Sequence, residues 1–457
     1  MDLEFATEYL DRFINFERDE PLKGEFKLEN MKTLCDYFGH PELETPCIHV
    51  TGSKGKGSIT TMVGSILKSA GYKKVGLYRS PALTHFTDRI SEVDGPFSEE
   101  IYRKAFDKLK SGIEKILVEN NIAAPTYYEL VTLFAFLVFK EAGCDFAVYE
   151  VGMGGRLDAT NVIKPKVSVI NTIELEHTKI LGDTLEKIAT EKAGIIKKGV
   201  PVVVGPQPNK SVKNVFAKIA KEKQAGEVVF IPEDFHTRYF LDDNNHLKMR
   251  IEELNADLKL PGDFQAQNAM VAAVAARLAV PNISDEAIKK GLEHAFLPGR
   301  FEILSSGEII DFPKIPYMIL DGAHTKNSVS NAVETLKIYR QNLAKQKTYD
   351  SCLTDFTLDQ KPLLLFACAK DKNVEEMAKI LEPHFSEIIL TSPGGFKTPD
   401  LPRAKKAFKN VKLVEDYNKA IKTVLEAANQ KSKGLVVLGS FYLVSEVKKY
   451  LESTPWG

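Results

Sequence analysis

The segment Thr51-Gly52-Ser53-Lys54-Gly55-Lys56-Gly57-Ser58 concentrates the residue types that a phosphate group needs. Glycines let successive backbone N–H groups turn toward one point, and a helix that starts directly afterwards adds positive potential. Lys56 can then reach β/γ phosphates, and the Ser58 hydroxyl can coordinate Mg²⁺. The string departs from the strict GxxxxGK[ST] pattern, because Val50 replaces the first glycine and Gly57 separates Lys56 from Ser58. In isolation it would also fit an ordinary Gly-rich turn with a solvated lysine. Its place between a strand and a helix selects phosphate binding, and we read a nucleotide site.

Further polar residues stand at strand ends, where open α/β sheets place their ligands. Glu150 closes an inner strand and is followed by Val151-Gly152-Met153-Gly154-Gly155-Arg156-Leu157-Asp158. A carboxylate there could hold the hard cation that bridges nucleotide phosphates, and the glycines make room for a ligand against the backbone. His177, in Glu174-Leu175-Glu176-His177, lies on the third successive strand-end loop to carry polar residues and suits metal ligation or phosphate contact. By pattern alone Lys192 is a solvated helix lysine. Asp321-Gly322-Ala323-His324, seen alone, is a turn that caps a helix.

The elements that must position these residues follow an α/β rhythm. Strands are expected at Cys47 to Val50, Val75 to Tyr78, Phe146 to Tyr149, Val167 to Thr172 and Val200 to Val204. Apolar residues at Ile59, Met62, Val63, Ile66, Leu67 and Ala70 give the helix after the phosphate loop, stopped by Gly71. Other helices are expected over Glu129 to Ala142, Thr184 to Lys197 and Asn268 to Leu278. Tyr239 to Leu260 alternates with period two about Asp242-Asp243-Asn244-Asn245, which predicts a β-hairpin attached to the first domain. Leu297-Pro298-Gly299-Arg300 reads as the hinge. Beyond it strands are expected at Met318–Leu320, Leu363–Ala367, Ile388–Leu390, Val411–Val414 and Leu435–Leu438, with a polar surface loop over Asn342 to Lys361. The fold class is therefore α/β: an N-terminal P-loop-type, mostly parallel sheet domain (1–297) with a small antiparallel β addition, then a C-terminal Rossmann-like domain (298–457).

Composition narrows the function. The 457 residues carry 61 Lys+Arg against 62 Asp+Glu, a formal charge of -1, so there is no global basic field for nucleic acid or an anionic membrane. The five cysteines are scattered and form no CxxC pair, which argues against a disulfide framework or thiolate metal site. The acidic start MDLEFATEYLDRF lacks a basic n-region, so no signal peptide is expected. The apolar run from Leu130 to Phe139 falls short of the ~20 residues that span a bilayer. We expect a cytoplasmic protein.

Taken in order, the motifs resemble those of the folylpolyglutamate synthase/dihydrofolate synthase family, within the Mur ligase superfamily. The resemblance runs through TGSKGKGS (51–58), SPALTHFTDRI (80–90), EVGMGGRLDATN (150–161), EH (176–177), LGDTLEKIATEKAGI (181–195), PGRFE (298–302), DGAH (321–324), KDKN (370–373) and GSFYLVSEV (439–447). It implies a ligase that uses ATP to phosphorylate a folate or dihydropteroate carboxylate and lets the L-glutamate amine displace phosphate. ATP and Mg²⁺ are the implied cofactors, with K⁺ as a further candidate, and small-molecule substrates and a monomer are expected.

By that resemblance Gly52, Lys54, Gly55, Lys56, Gly57 and Ser58 bind ATP phosphates, together with Asn268, Arg300, Asp321 and His324. Ser58, Ser80, Glu150, His177 and Lys192 would ligate metal, Lys192 as a carbamate, which reverses its reading from pattern alone. Lys56, Glu150, His177 and Lys192 form the implied catalytic set, and Thr126 and Asp158 the folate contacts. A site drawn from both domains implies closure about residues 297–300.

The chain departs from the family's usual residues at Lys54 (Asn), Ala82 (His after Ser-Pro), Glu176 (Asp) and Thr325 (Asn after DGAH). Three other readings compete: another Mur-superfamily amide ligase with a non-folate acceptor, a P-loop phosphotransferase, and a nucleotide-gated binding protein. A cell-wall ligase would need a UDP-binding domain ahead of the loop, and the 50 residues there are too few. The long EVGMGGRLDATN and EKAGI strings weigh against a phosphotransferase, and the Ser80/Glu150/His177/Lys192 set against a mere binding protein. Between dihydrofolate synthase, folylpolyglutamate synthase and both, the reading leans to both.

Overall fold

Apolar runs flanked by helical segments become strands buried on both faces, as a helix-covered parallel sheet requires. In the computed structural model, which describes residues 1–16, 27–119, 123–349, 360–395 and 397–453, the first half gives β1 (Cys47–Thr51), β2 (Val75–Tyr78), β3 (Ile90–Glu92), β4 (Phe146–Glu150), β5 (Val167–Ile170), β6 (Val202–Val204) and β7 (Val228–Phe230). They form one sheet in the order β3-β2-β4-β1-β5-β6-β7. Every pairing is parallel except β2 with the short edge strand β3. Val50 lies opposite Glu150, and Thr51 opposite Ile170. The central strand β1 thus delivers the phosphate loop to the edge where β4 delivers Glu150.

Helices cover this sheet. Tyr127–Ala142 is nearly apolar all round and packs with Tyr78, Ala147 and Tyr149 in one core cluster, alongside helix Glu99–Val118. A second cluster joins Ile170, Val202 and Val204 to helices Leu185–Lys192 and Lys210–Glu222. Helix Asp285–His294 lies against helix Lys56–Ser69, and Gly291 permits the approach, since any side chain there would meet the Ile66 backbone.

The chain divides into two units. The first comprises Met1–His236, Ile251–Ala256 and Phe264–Ala295, and the second Thr237–Arg250, Asp257–Asp263 and Phe296–Gly457. The second holds β11 (Glu302–Ser305), β12 (Tyr317–Leu320), β13 (Leu363–Phe366), β14 (Glu387–Leu390), β15 (Lys412–Leu413) and β16 (Leu435–Leu438), in the order β11-β12-β16-β13-β14-β15. Only β11 runs antiparallel. A small third sheet orders β8 (Thr237–Leu241), β9 (Leu247–Ile251) and β10 (Ala256–Leu258) as β10-β9-β8.

The hairpin forms where the period-two pattern predicts it, but its attachment is corrected. Leu247, with Tyr239 and Leu241, packs into the core of the second unit beside Tyr317, Val333 and Leu336. Sequence proximity had assigned it to the first domain, whereas its inward residues find their apolar partners after residue 296. The helix expected to run to Lys197 ends at Lys192 and tightens into a 3-10 turn over Ala193–Ile195. Helix Lys326–Tyr349 takes in the start of the expected polar loop, and 350–359 fall outside the described residues. Among the described residues Cys35, Cys47, Cys144 and Cys368 are free thiols.

Candidate active site

After β1 the chain turns through Gly52 (φ 151°) and Gly55 (φ 78°), conformations that cost a side-chain-bearing residue, and Gly55 is the N-cap of helix Lys56–Ser69. A side chain at Gly55 would run into Asn268 Oδ1 and Asn171 Nδ2. The loop is tied to its neighbours at Ser53, whose N–H donates to Thr172 O at 2.9 Å and whose hydroxyl donates to Glu174 O at 3.2 Å. Lys56 Nζ donates to Gly52 O at 3.2 Å, and Ser58 is buried in the first helical turn. Lys54 O accepts Asn171 Nδ2 at 2.9 Å. Asn268 lies beside the loop at Gly55, with Oδ1 accepting from Asn171 Nδ2 at 2.9 Å and Nδ2 donating to Gln265 Oε1 at 2.8 Å.

Glu150 ends β4 and is 3% exposed, and its Oε2 accepts the Ser80 N–H at 3.3 Å. Since β4 lies between β1 and β2, Ser58, Ser80 and Glu150 stand after or at the ends of three adjacent strands. Two hydroxyls and a buried carboxylate are hard oxygen donors, so they fit Mg²⁺. Among the described residues no three His, Cys, Asp or Glu gather into a cage. Mg²⁺ does not need one, since it keeps waters and phosphate oxygens beside one or two carboxylates.

Lys192 is not the solvated lysine that its helix pattern suggests. It is 1% exposed, and its Nζ donates to Gly52 O at 3.0 Å and pairs with Glu176 Oε1 at 2.8 Å. Burial pushes its amine down to about 8, against the opposing pull of Glu176, while the Lys56 and Lys54 charges lower it further. Burial alone would raise Glu176, but the Lys192 and Lys56 cations outweigh it and hold the carboxyl at about 2. In this ammonium form Lys192 is a hydrogen-bond donor, and only a modified amine would fit a metal. His177 adopts φ 46° at the N-cap of the short helix Thr178–Leu181, with an exposed side chain.

The two residues assigned to folate have structural partners. Asp158 is buried and accepts from Thr160 N at 3.0 Å, Thr160 Oγ1 at 2.5 Å and Met153 N at 3.1 Å, so its carboxylate shapes the glycine-rich loop from inside. Burial raises its carboxyl above the ordinary range against those hydrogen bonds. Thr126 caps helix Tyr127–Ala142 in a reciprocal box: its hydroxyl accepts Glu129 N at 3.2 Å, and its own N–H donates to Glu129 Oε2 at 2.7 Å.

In the second unit Arg300, Asp321 and His324 gather at the end of β12. Asp321 is buried and accepts Ala323 N at 2.7 Å and Phe301 N at 2.8 Å, which fixes Phe301 at φ 44°. The Arg300 guanidinium lies 4.1 Å from the centroid of the Phe441 ring, and the His324 ring meets that ring edge-on at 6.1 Å. His324 Nδ1 is 2.7 Å from Gly322 O. Glu302 accepts Gly299 N at 2.8 Å and pairs with Lys448 at 2.5 Å, anchoring the turn that presents Arg300.

Sequence reasoning passed over Asn171, Gln207 and Phe441, and took Glu176 only as a departure. A polar residue ending a hydrophobic strand, as Asn171 does after Val167–Ile170, is the signal that could have found the first.

Residues 50–276 match the Mur ligase middle domain. The chain is 32% identical over 447 residues to the dihydrofolate synthase/folylpolyglutamate synthase of Bacillus subtilis (strain 168), covering 93% of this chain and 95% of that one. Among solved structures, the folylpolyglutamate synthase of Thermotoga maritima superposes with a TM-score of 0.77 at 32% identity, covering 99% of this chain and 97% of that one. A folylpolyglutamate synthase in complex with AMPPCP and folate superposes with a TM-score of 0.77 at 26% identity, covering 99% and 100%.

Proposed function

Because this chain belongs to the folylpolyglutamate synthase/dihydrofolate synthase family, we propose that it is an ATP-dependent ligase that adds L-glutamate to a folate or dihydropteroate carboxylate. The observation that carries this reading is the meeting of two distant motifs. Lys56 of the phosphate loop and Lys192 of the EKAGI segment both donate to Gly52 O, and Glu176 closes the group.

The reaction needs neutralisation and alignment of two anions more than covalent work by the protein. The loop N–H groups and Lys56 take the phosphates. An oxygen of the substrate carboxylate attacks the γ-phosphorus and ADP leaves. The glutamate α-amine then attacks the acyl carbon, and the C–O bond to phosphate breaks. Ser58, Ser80 and Glu150 would hold Mg²⁺, which when bound would supply positive charge against the transferred phosphate. The lowered pKa of Lys192 supplies the neutral amine that carbamylation requires: it adds to CO₂, loses a proton and becomes anionic. Arg300, Asp321 and His324 are assigned to ATP and glutamate, and Thr126 and Asp158 to the folate loops. Asp158 acts there by shaping the loop, since its oxygens are already engaged.

We take the protein to be monomeric and cytoplasmic, with both activities. None of its described helices is long and apolar enough to cross a membrane. The test is ATP-, Mg²⁺- and L-glutamate-dependent product formation on dihydropteroate and tetrahydrofolate in parallel, read by mass. One added glutamyl unit on both establishes both activities, and on one alone names that activity. No addition to either, with ATP still bound, refutes a folate acceptor.

A further inference from the structure

The phosphate loop of this chain rests on a side chain that belongs to none of its motifs. Asn171 follows β5, is 3% exposed, and extends the sheet by donating its own N–H to Thr51 O at 2.8 Å. Its Nδ2 donates twice, to Lys54 O and to Asn268 Oδ1, each at 2.9 Å. Its main-chain oxygen accepts Gln207 Nε2 at 3.0 Å, and Gln207 Oε1 accepts Ile173 N at 3.1 Å, so the residue is held from behind. Asn171 also occupies the space that three glycines leave open. A Cβ at Gly52 would stand 2.8 Å from Asn171 Cβ, one at Gly55 would stand 2.5 Å from Asn171 Nδ2, and one at Gly205 would overlap Asn171 Oδ1.

Both groups that receive the Nδ2 hydrogens are acceptors, so the position calls for a donor with two hydrogens at that reach. Aspartate offers none, and leucine fills the volume without bonding. Buried polar groups cost stability unless paired, and Asn171 Oδ1 has no protein partner.

We propose that Asn171 is a positioning residue for nucleotide binding: its amide locks Lys54 O and Asn268 into the arrangement in which the loop N–H groups face one point. This rests on the nucleotide reading of the loop given above. Asn171 touches no reacting atom in this scheme and acts through the backbone of Lys54 and the side chain of Asn268.

The test uses the full chain, with AMPPCP and Mg²⁺ as the probe, binding read by calorimetry and melting temperature read in parallel. Asn171→Leu keeps the packing and removes the hydrogen bonds, while Asn171→Asp keeps the shape and sets an acceptor against two acceptors. Each should weaken AMPPCP binding by about tenfold or more, as the loss of two buried hydrogen bonds implies. Thr132→Val serves as the control. It removes a buried hydroxyl bonded to Tyr78 and to Tyr128 O in the same unit, and should lower the melting temperature while leaving AMPPCP affinity unchanged. Adding Asn268→Leu to Asn171→Leu should cost much less than the sum of the two single changes, because they share one bond. Wild-type affinity in Asn171→Leu, or a loss in Thr132→Val that tracks its melting temperature, overturns the proposal. A wild-type chain that binds no AMPPCP overturns the nucleotide reading itself, and the positioning role with it.

Discussion

Replacing Glu176 by glutamine removes the carboxylate that pairs with the buried Lys192 and leaves the side-chain volume almost unchanged. The carboxyl is lowered from 4.5 to about 2, and at 1.36 kcal/mol per unit that corresponds to about 3 kcal/mol of stability. A depressed carboxyl contributes this above its unfolded pKa and loses it as pH falls through the folded value, so it is fully present at pH 7. Lys192 has the opposite sign. An amine lowered from 10.5 to about 8 destabilises the fold below pH 8, and that cost fades as pH rises toward 10.5. In the wild type the two nearly cancel, as a well-made buried pair should. Glu176→Gln therefore costs about 3 kcal/mol at pH 7, and about half of that or less at pH 10, where Lys192 is neutral in both forms. Glu176→Gln/Lys192→Met should recover most of the loss, since both charges are gone. Urea unfolding at pH 7 and pH 10 reads all three proteins. A loss below about 1 kcal/mol at pH 7, or a double variant no more stable than the single one, refutes the reasoning.

Other perturbations separate the remaining contacts. Gly55→Ala forces a left-handed φ on a side chain, which costs about 1–2 kcal/mol, and drives its methyl into Asn171 and Asn268; AMPPCP affinity measured by calorimetry should fall about tenfold or more. Phe441→Leu removes the ring under Arg300, a contact of about 1 kcal/mol, so steady-state kinetics should show the KM for ATP rising about fivefold with the KM for the folate substrate unchanged. Lys197 is lowered to about 8 by burial and by Lys223 and Lys32. Its unfolded form keeps the proton longer, so it makes stability rise between pH 8 and 10.5. Lys197→Met should abolish that rise, so wild-type minus variant stability should climb between pH 8 and 10.5; the difference is the readout because desolvation raises the Cys47 and Cys144 thiols to about 12, which tilts the absolute profile the other way.

How much was legible in the sequence follows from which residues announce themselves by spacing. β1, β2, β4, β5 and the helix after the phosphate loop were found because each is a single apolar run or a single 3.6-residue stripe. The edge strands β3, β7 and β11 were passed over: three or four residues each, β7 only partly buried, they leave no run long enough to read. The hairpin was found and misplaced, since alternation reveals two faces but not the partner that Leu247 and Tyr239 will meet. Lys192 shows the same limit. Lys187 stands on the same helix and Lys197 and Lys198 follow shortly after it, and composition cannot say which of these lysines turns inward. Only the fold, which sets its amine against Gly52 O and Glu176, drops its solvent exposure to 1%.

The site residues divide along the same line. Glycines 52 and 55, Lys56 and Ser58 are legible because phosphate chemistry demands those types in a short stretch. Asn171, Asn268, Gln207 and Gln265 lie up to 97 residues apart within their bonded pairs and form one buried amide chain beneath the loop. By spacing alone each looks like an ordinary polar residue until the fold removes its water, and of the four Asn268 was reached through the family resemblance. Burial then makes each donor and acceptor count, because an amide left unpaired in that layer costs about 1–3 kcal/mol. The loop's conformation is thus specified twice, by glycines that permit it and by amides that exclude the alternatives, and a spacing motif can display only the first of these.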